Sequence, residues 1–153
     1  MQTSLADAFG LGPIDQVAYV VADMDAALAV YTELFGPFRV SEAALSGCRM
    51  RGRRADCLLK LAVHTAGPVE IELIQVLEGE TPHSEHLRRH GEGLHHVRFR
   101  VEALDPKLEA LSDAGYEVVF YKRFGPELAF AYVETPRLLG PSVIELLEMP
   151  GPR

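Results

Sequence analysis

The sequence predicts an α+β fold made of two β-α-β-β-β modules in a single domain, and three observations carry that expectation. Residues 14–21 lie over residues 94–101, so that Val17, Tyr19 and Val21 match Val97, Phe99 and Val101 while Gln16 matches His96. Residues 68–75 lie over residues 141–148, so that Glu72 matches Glu145. Between each opening and closing segment stand a helix with start and stop residues and two short strand-like runs. A period of roughly 75 to 80 residues marks duplication of a whole module, not a solenoid of short repeats.

In chain order, residues 1–13 read as an N-terminal tail suited to packing on a neighbour, with Gly10, Gly12 and Pro13 at its end. The first module spans 14–80. Its opening run alternates apolar and polar residues, which is the period of a strand. Asp23 suits the cap of the next helix, Leu28, Tyr31, Leu34 and Phe35 give that helix an apolar stripe, and Gly36 suits the left-handed residue past its end. Residues 38–41, 58–63 and 69–76 then read as strands. Residues 81–93 are a linker, a short helix followed by the flexible Gly91-Glu92-Gly93. The second module, 94–149, replays the first: a strand over 94–102, Asp105 as cap, Pro106 at the first helical position, Leu108, Leu111 and Ala114 on one face, and Gly115 as the stop. Strands over 116–121, 128–133 and 143–147 complete it.

With 153 residues and 48% hydrophobic content, the chain can build one real core. A net charge of −7 opposes a nucleic-acid or anionic-membrane partner, because its field repels phosphate, and leaves a small molecule as the expected ligand. No apolar run reaches the roughly 18 residues of a membrane span. The first ten residues hold acidic Asp7 and no basic residue, unlike a secretory signal, so a cytoplasmic protein is expected. In that setting Cys48 and Cys57 are expected as free thiols.

The chemistry concentrates at four matched positions. Residues two apart in a strand share a face, so Gln16 lies opposite Val17, Tyr19 and Val21, and His96 and Arg98 lie opposite Val97, Phe99 and Val101. Both candidate ligands therefore project into whatever concavity the sheet encloses. Glu72 stands among Ile71, Leu73 and Ile74, and Glu145 among Ile144, Leu146 and Leu147. A carboxylate in such a strand is costly to bury unless it is paired or bound to a cation. One imidazole, two carboxylates and an amide oxygen suit one divalent ion such as Zn, Ni, Co, Mn or Fe, with positions left for substrate or water. Taken singly, a strand glutamate also fits a surface position and His96 a hydrogen-bonded core histidine; four at equivalent points of a duplication favour the metal.

Other features carry less. His95 is placed on the opposite strand face, as a structural residue. His83, His86 and His90 could share a helical face and bind a metal, but without a carboxylate motif beside them a solvated linker helix is the simpler reading. Arg49, Arg51, Arg53 and Arg54 suit either a substrate anion or a solvated hairpin. Arg98, beside His96 in the concavity, is the better substrate-binding candidate. Neither cysteine has a neighbour that would activate it, and no phosphate-cradling glycine loop or dinucleotide fingerprint is present.

From residue 12 to residue 149 the chain resembles the vicinal oxygen chelate, or glyoxalase-like, superfamily. Ile14-Asp15-Gln16-Val17-Ala18-Tyr19 and Gly91-Glu92-Gly93-Leu94-His95-His96-Val97 look like the module openings of methylmalonyl-CoA epimerases and their less characterised relatives, and residues 69–75 and 143–148 look like the module-closing strands. The resemblance implies paired modules forming a cupped, partly open barrel-like sheet, a metal within it held by Gln16, Glu72, His96 and Glu145, and a homodimer. Two departures stand out. The epimerase pattern has histidine where Gln16 stands, a substitution similar to some glyoxalase I enzymes, and a catalytic glutamate of the epimerases has no counterpart in residues 58–63. The turn over 134–140 is similar to a broad glyoxalase-like group.

The expected function is a metal-dependent isomerase or lyase, lactoylglutathione lyase-like or acyl-CoA epimerase-like, in which Glu145 or Glu72 moves a proton next to a metal-bound carbonyl. The alternatives are an extradiol-type dioxygenase, against which Gln16 argues, and a non-catalytic drug-binding protein of the same fold.

Overall fold

The alternating runs of the two modules supply eight strands that close into one barrel. The structure is a computed structural model and describes residues 2–151. A short helix α1 (Leu5–Ala8) precedes the first module, which comprises β1 (Ile14–Val20), α2 (Met24–Phe35), β2 (Arg39–Met50), β3 (Arg53–His64) and β4 (Glu70–Glu78). Helix α3 (Pro82–His90) leads to the second, with β5 (Gly93–Val101), α4 (Leu104–Asp113), β6 (Val118–Gly125), β7 (Leu128–Glu134), α5 (Pro136–Leu139) and β8 (Val143–Glu148). Around the barrel the order is β1-β4-β3-β2-β6-β7-β8-β5. The expected cup therefore closes. One seam is the antiparallel pairing of β1 with β5 from Ile14 opposite Phe99 to Val20 opposite Gly93, and the other is a short contact of β2 with β6 at Arg49–Tyr121 and Met50–Phe120.

Helices α2 and α4 cover the outer face over parts of the sheet, while β2 is exposed along most of its length. Tyr19 and Val21 pack outward against Met24, Leu28 and Tyr31 of α2, and Val97 and Phe99 pack against Leu104, Leu108 and Leu111 of α4. The interior holds a separate cluster with Ala18, Ile74, Phe120 and Tyr132. Gln16 and His96 thus face the enclosed side, as the period-two argument requires.

Four expectations are corrected. Strand β2 runs on to Met50, nine residues past the expected end at Ser41. Its alternation is broken by a register shift between Leu45 and Cys48, and a bulge hides the period on which strand recognition rests. The arginine run is the β2–β3 hairpin, turning at Arg51 (φ 50°) and Gly52 (φ 82°), the left-handed pair of a tight hairpin. Arg51 is held there by Glu85, Glu117 and Glu134 at 3.0 to 3.1 Å. Asp105 is not the cap of α4. The cap position is Ala103, whose methyl accepts no bond, and the carboxylate of Glu148 on β8 takes the Leu104 N–H instead, at 2.6 Å. Helix α3 begins at a capping box formed by Thr81 and Ser84, yet it is no solvated linker, because His83 and His86 are buried. Of the tail, Met1 lies outside the described residues; Phe9 and Leu11 pack on the second module's own core, Phe9 edge-on to Tyr116.

Cys48 and Cys57 are free and buried. Burial pushes both thiols up, Cys57 to about 11. Among the described residues, no helix is long and apolar enough to cross a membrane.

Candidate metal centre

Pairing register places the four matched residues on two adjacent rows of the barrel's inner face. One row runs Glu70, Gln16, Arg98, Glu145 and Tyr132 across β4, β1, β5, β8 and β7; the next runs Glu72, Ala18, His96 and Val143. Directly paired residues share a face, so these side chains converge. Ala18, fully buried between Glu72 and His96, has the smallest side chain of the group.

The donors meet at His96 Nε2. Glu145 Oε2 lies 2.8 Å from it, Gln16 Oε1 3.0 Å and Glu72 Oε2 3.8 Å. Gln16 Nε2 donates to Glu70 Oε1 at 2.6 Å, which fixes the amide so that its oxygen faces the histidine. Arg98 Nε donates to Asp15 at 2.8 Å, with Glu70 at 3.8 Å from its Nη1. The sequence-derived candidates Gln16, Glu72, His96, Glu145 and Arg98 are thus brought together in one place. Enclosure, then the charge of Glu145, pushes the Glu72 carboxyl up to about 8.

His95 lies inside and not on the opposite face. Ala18 pairs with His96 and Tyr19 with Leu94, so His95 is the extra residue of a bulge, and the bulge turns two consecutive histidines inward. The His95 and His96 Nδ1 atoms are 2.9 Å apart. Burial, then His83, holds His95 well below the usual imidazole range, and it also bonds the Pro82 backbone carbonyl. That carbonyl is an acceptor, so the single proton of neutral His95 goes to it, and His95 Nδ1 accepts from His96 Nδ1–H. The second nitrogen's bond fixes the tautomer. His96 Nε2 is then left facing three oxygens. Such a nitrogen can accept from a carboxyl proton or bind a cation, and the set of one imidazole, two carboxylates and an amide oxygen fits a divalent cation.

A second nitrogen cluster lies behind it. His83, His95 and His96 offer ring nitrogens within 4.8 Å of one another, all buried, and by donor type could hold a metal. Their atoms already serve one another: His83 Nε2 lies 2.8 Å from the Tyr132 hydroxyl and its Nδ1 3.2 Å from Thr81 Oγ1. Burial, then His96, pushes His83 down to about 3, and burial, then Glu145 and Glu72, lifts Tyr132 well above the ordinary phenol range. Sequence reasoning missed His83, His95 and Tyr132 as neighbours of the site. The consecutive pair His95-His96 was its visible signal, because two polar rings in one buried strand require a bulge or an exposed face.

The donors open into a cavity of about 230 Å³ whose lining includes Gln16, Glu72, Glu145, Arg98 and Tyr132. The rest of its lining is apolar.

A duplicated β-α-β-β-β barrel with a polar inner centre belongs to a recognisable class. The profile of the Glyoxalase/Bleomycin resistance protein/Dioxygenase superfamily matches residues 15–132, and the chain belongs to that superfamily. Many of its members are enzymes, and a divalent metal is typical of the fold. By sequence the chain is similar to the uncharacterised protein YqjC of Bacillus subtilis (strain 168), 33% identical over 99 residues that cover 61% of this chain and 67% of YqjC. Among solved structures it is similar to hypothetical protein BH1468 of Bacillus halodurans C-125, with TM-score 0.66, 18% identity, and 92% and 96% of the two chains covered. It is similar also to the methylmalonyl-CoA epimerase of Mycobacterium tuberculosis, with TM-score 0.62, 23% identity, and 99% and 93% covered. At those identities the structural likeness carries the fold.

Proposed function

We propose that the protein is a metal-dependent isomerase or lyase of the glyoxalase type, which moves a proton on the carbon next to a substrate carbonyl. The observation that carries this reading is the convergence of Gln16, Glu72 and Glu145 oxygens on His96 Nε2 at the floor of a cavity inside the barrel. Those four residues would hold one divalent ion. What such an ion supplies when bound is Lewis acidity, which makes a neighbouring carbon-bound proton easier to remove.

The chain's own groups then have separate tasks. Glu145 and Glu72 both line the cavity, and either carboxylate can take the proton and return it. Arg98 presents donors from the wall to a second substrate oxygen. The apolar walls exclude water, which strengthens every polar contact at the floor. A lactoylglutathione lyase-like or acyl-CoA epimerase-like reaction, a homodimeric state and a cytoplasmic location belong to the same proposal.

The test joins metal content to isotope exchange. The purified protein should carry about one divalent ion per chain, lost on His96→Ala or Glu145→Ala. In heavy water the loaded protein should exchange the α-proton of a hemithioacetal or an α-substituted acyl thioester, detected by mass spectrometry, and whichever of Glu145→Gln and Glu72→Gln removes the base should abolish the signal. Retention of stoichiometric metal by both alanine variants would refute the ligand set, and loaded protein silent toward both substrate classes would refute the reaction.

A further inference from the structure

We propose that the cavity takes a neutral, compact ligand, an α-oxygenated ketone carrying an aryl group, and selects it over carboxylate-bearing ligands of similar size. This rests on the metal reading of the cavity floor and adds to it the identity of what sits above.

Charge points first to neutrality. Glu72 and Glu145 stand at the floor, and the one guanidinium on the wall, Arg98, is already matched by Asp15 at 2.8 Å and Glu70 at 3.8 Å. Four carboxylates thus surround one arginine, and a divalent cation still leaves the negative side in excess. A ligand carboxylate would be desolvated into that excess with no cation of its own, an arrangement that buried charge tolerates poorly. A ketone or hydroxyl oxygen meets no such penalty, and Arg98 can donate to it through nitrogens not facing Asp15.

The walls define the rest. The inward residues of β2 and β3 give an aliphatic side with Leu45, Leu59 and Leu61, whereas β6 and β7 give an aromatic side with Phe124, Phe130 and Tyr132. Phe124 and Phe130 stack at 6.2 Å with an interplanar angle of 28°, and Phe130 meets Tyr132 at 5.6 Å. Phe124 is 49% exposed, at the outer end of this ladder, with Lys122 Nζ over its ring at 5.2 Å, so an incoming ring meets the Phe130 and Tyr132 rings deeper in the cavity. Aromatic rings prefer such offset stacking, worth about 0.5–1.5 kcal/mol beyond the area buried. At about 230 Å³ the space equals roughly eight waters of about 30 Å³ each, enough for one ring and a short oxygenated chain.

Calorimetric titration of zinc-loaded protein, its zinc content measured beforehand, tests this with three probes: 2-hydroxy-1-phenylethanone, its carboxylate counterpart mandelate, and hydroxyacetone, which lacks the ring. The aryl ketone should bind at least tenfold more tightly than either. Phe130→Ala should cost the aryl ketone about tenfold and leave hydroxyacetone unchanged, and Phe130→Leu, which keeps bulk without the ring face, should show a loss in the same direction. Mandelate binding as tightly as the ketone would overturn the proposal, as would equal losses for all three probes in the Phe130 variants. A protein that takes up no zinc yet still prefers the aryl ketone would overturn the floor reading alone and leave the slot standing. Zinc bound at one per chain with no preference among the probes would do the reverse.

Discussion

Glu72 is the residue whose ionisation the barrel alters most legibly. Its carboxyl, ordinarily near 4.5, is pushed up to about 8 by enclosure and by Glu145. In metal-free protein the unfolded chain therefore loses this proton first as pH rises, and between about 4.5 and 8 the folded state binds more protons than the unfolded one. The linkage slope is then negative: the contribution of Glu72 to stability is full below 4.5, falls as pH rises and levels off above 8. Buried His83, held down to about 3 from 6.5, acts in the opposite sense, its contribution present above 6.5 and lost as pH falls. The quantity to measure is therefore the difference in urea-unfolding free energy between wild type and Glu72→Gln in chelator-treated protein. That difference should shift in favour of the variant as pH rises from 5 to 8; a pH-independent difference would show that the carboxyl is not strained. Gln16, Glu72, His96 and Glu145 were legible in the sequence because duplication aligned them. His83 and Tyr132 were not, since their meeting depends on how α3 lies against β7, a long-range packing with no local signature.

At the scale of elements, the duplication places its helix caps in the same way twice. Gln75 Oε1 on β4 accepts the Met24 N–H at the start of α2 at 2.8 Å, and Glu148 Oε2 on β8 accepts the Leu104 N–H at the start of α4 at 2.6 Å. Gln75 and Glu148 are the matched last positions of the two closing segments, three residues beyond Glu72 and Glu145. Each closing strand therefore carries a site carboxylate and a cap for its own module's helix, so helix position and site geometry are coupled through one strand. Asp23 adds a local cap to α2, bonding the Ala26 N–H at 2.8 Å; α4 has none. Glu148 also pairs with Arg123 at 3.2 Å. Gln75→Ala should cost about 1 kcal/mol of unfolding free energy, and Glu148→Ala about 2 kcal/mol because it also removes the bidentate pair with Arg123, which keeps Asp105 and the Gly125 carbonyl as partners. Denaturant midpoints would check this, and equal small losses would mean that the strand caps are incidental. The local caps and the strand periods were readable in the chain. The cap of α4 was not, because its acceptor lies 44 residues away and Asp105 offered a plausible local substitute.

Over the whole molecule, the donors occupy one contiguous half of the barrel. In the circular order, β4, β1, β5 and β8 are neighbours, and they carry Glu72, Gln16, His96 and Glu145; β3, β2, β6 and β7 make the other half. The long β1–β5 seam between modules lies within the first half, and the short β2–β6 seam lies opposite. A cation held by residues from both modules would tie together strands that are already extensively paired, while the shorter seam, with two residue pairs, the Arg51 N–H bond to the Val119 carbonyl, the Arg51–Glu117 ion pair and the Lys122 bond to the Ser46 carbonyl, gains nothing from it. Local opening follows local contact density, so the two halves should respond differently to metal. Zinc at a hundredfold excess over its dissociation constant stabilises the bound state by about 2.7 kcal/mol, so amide exchange governed by opening of the liganded half should slow on the order of a hundredfold. Hydrogen–deuterium exchange of chelated and zinc-loaded protein should show that slowing in peptides from β1, β4, β5 and β8, with little change in peptides spanning residues 49–51 and 119–121. Uniform protection would mean that the barrel opens only as a unit. Protection confined to α3 and β5 would move the metal to the cluster of His83, His95 and His96, and with it the site of the chemistry.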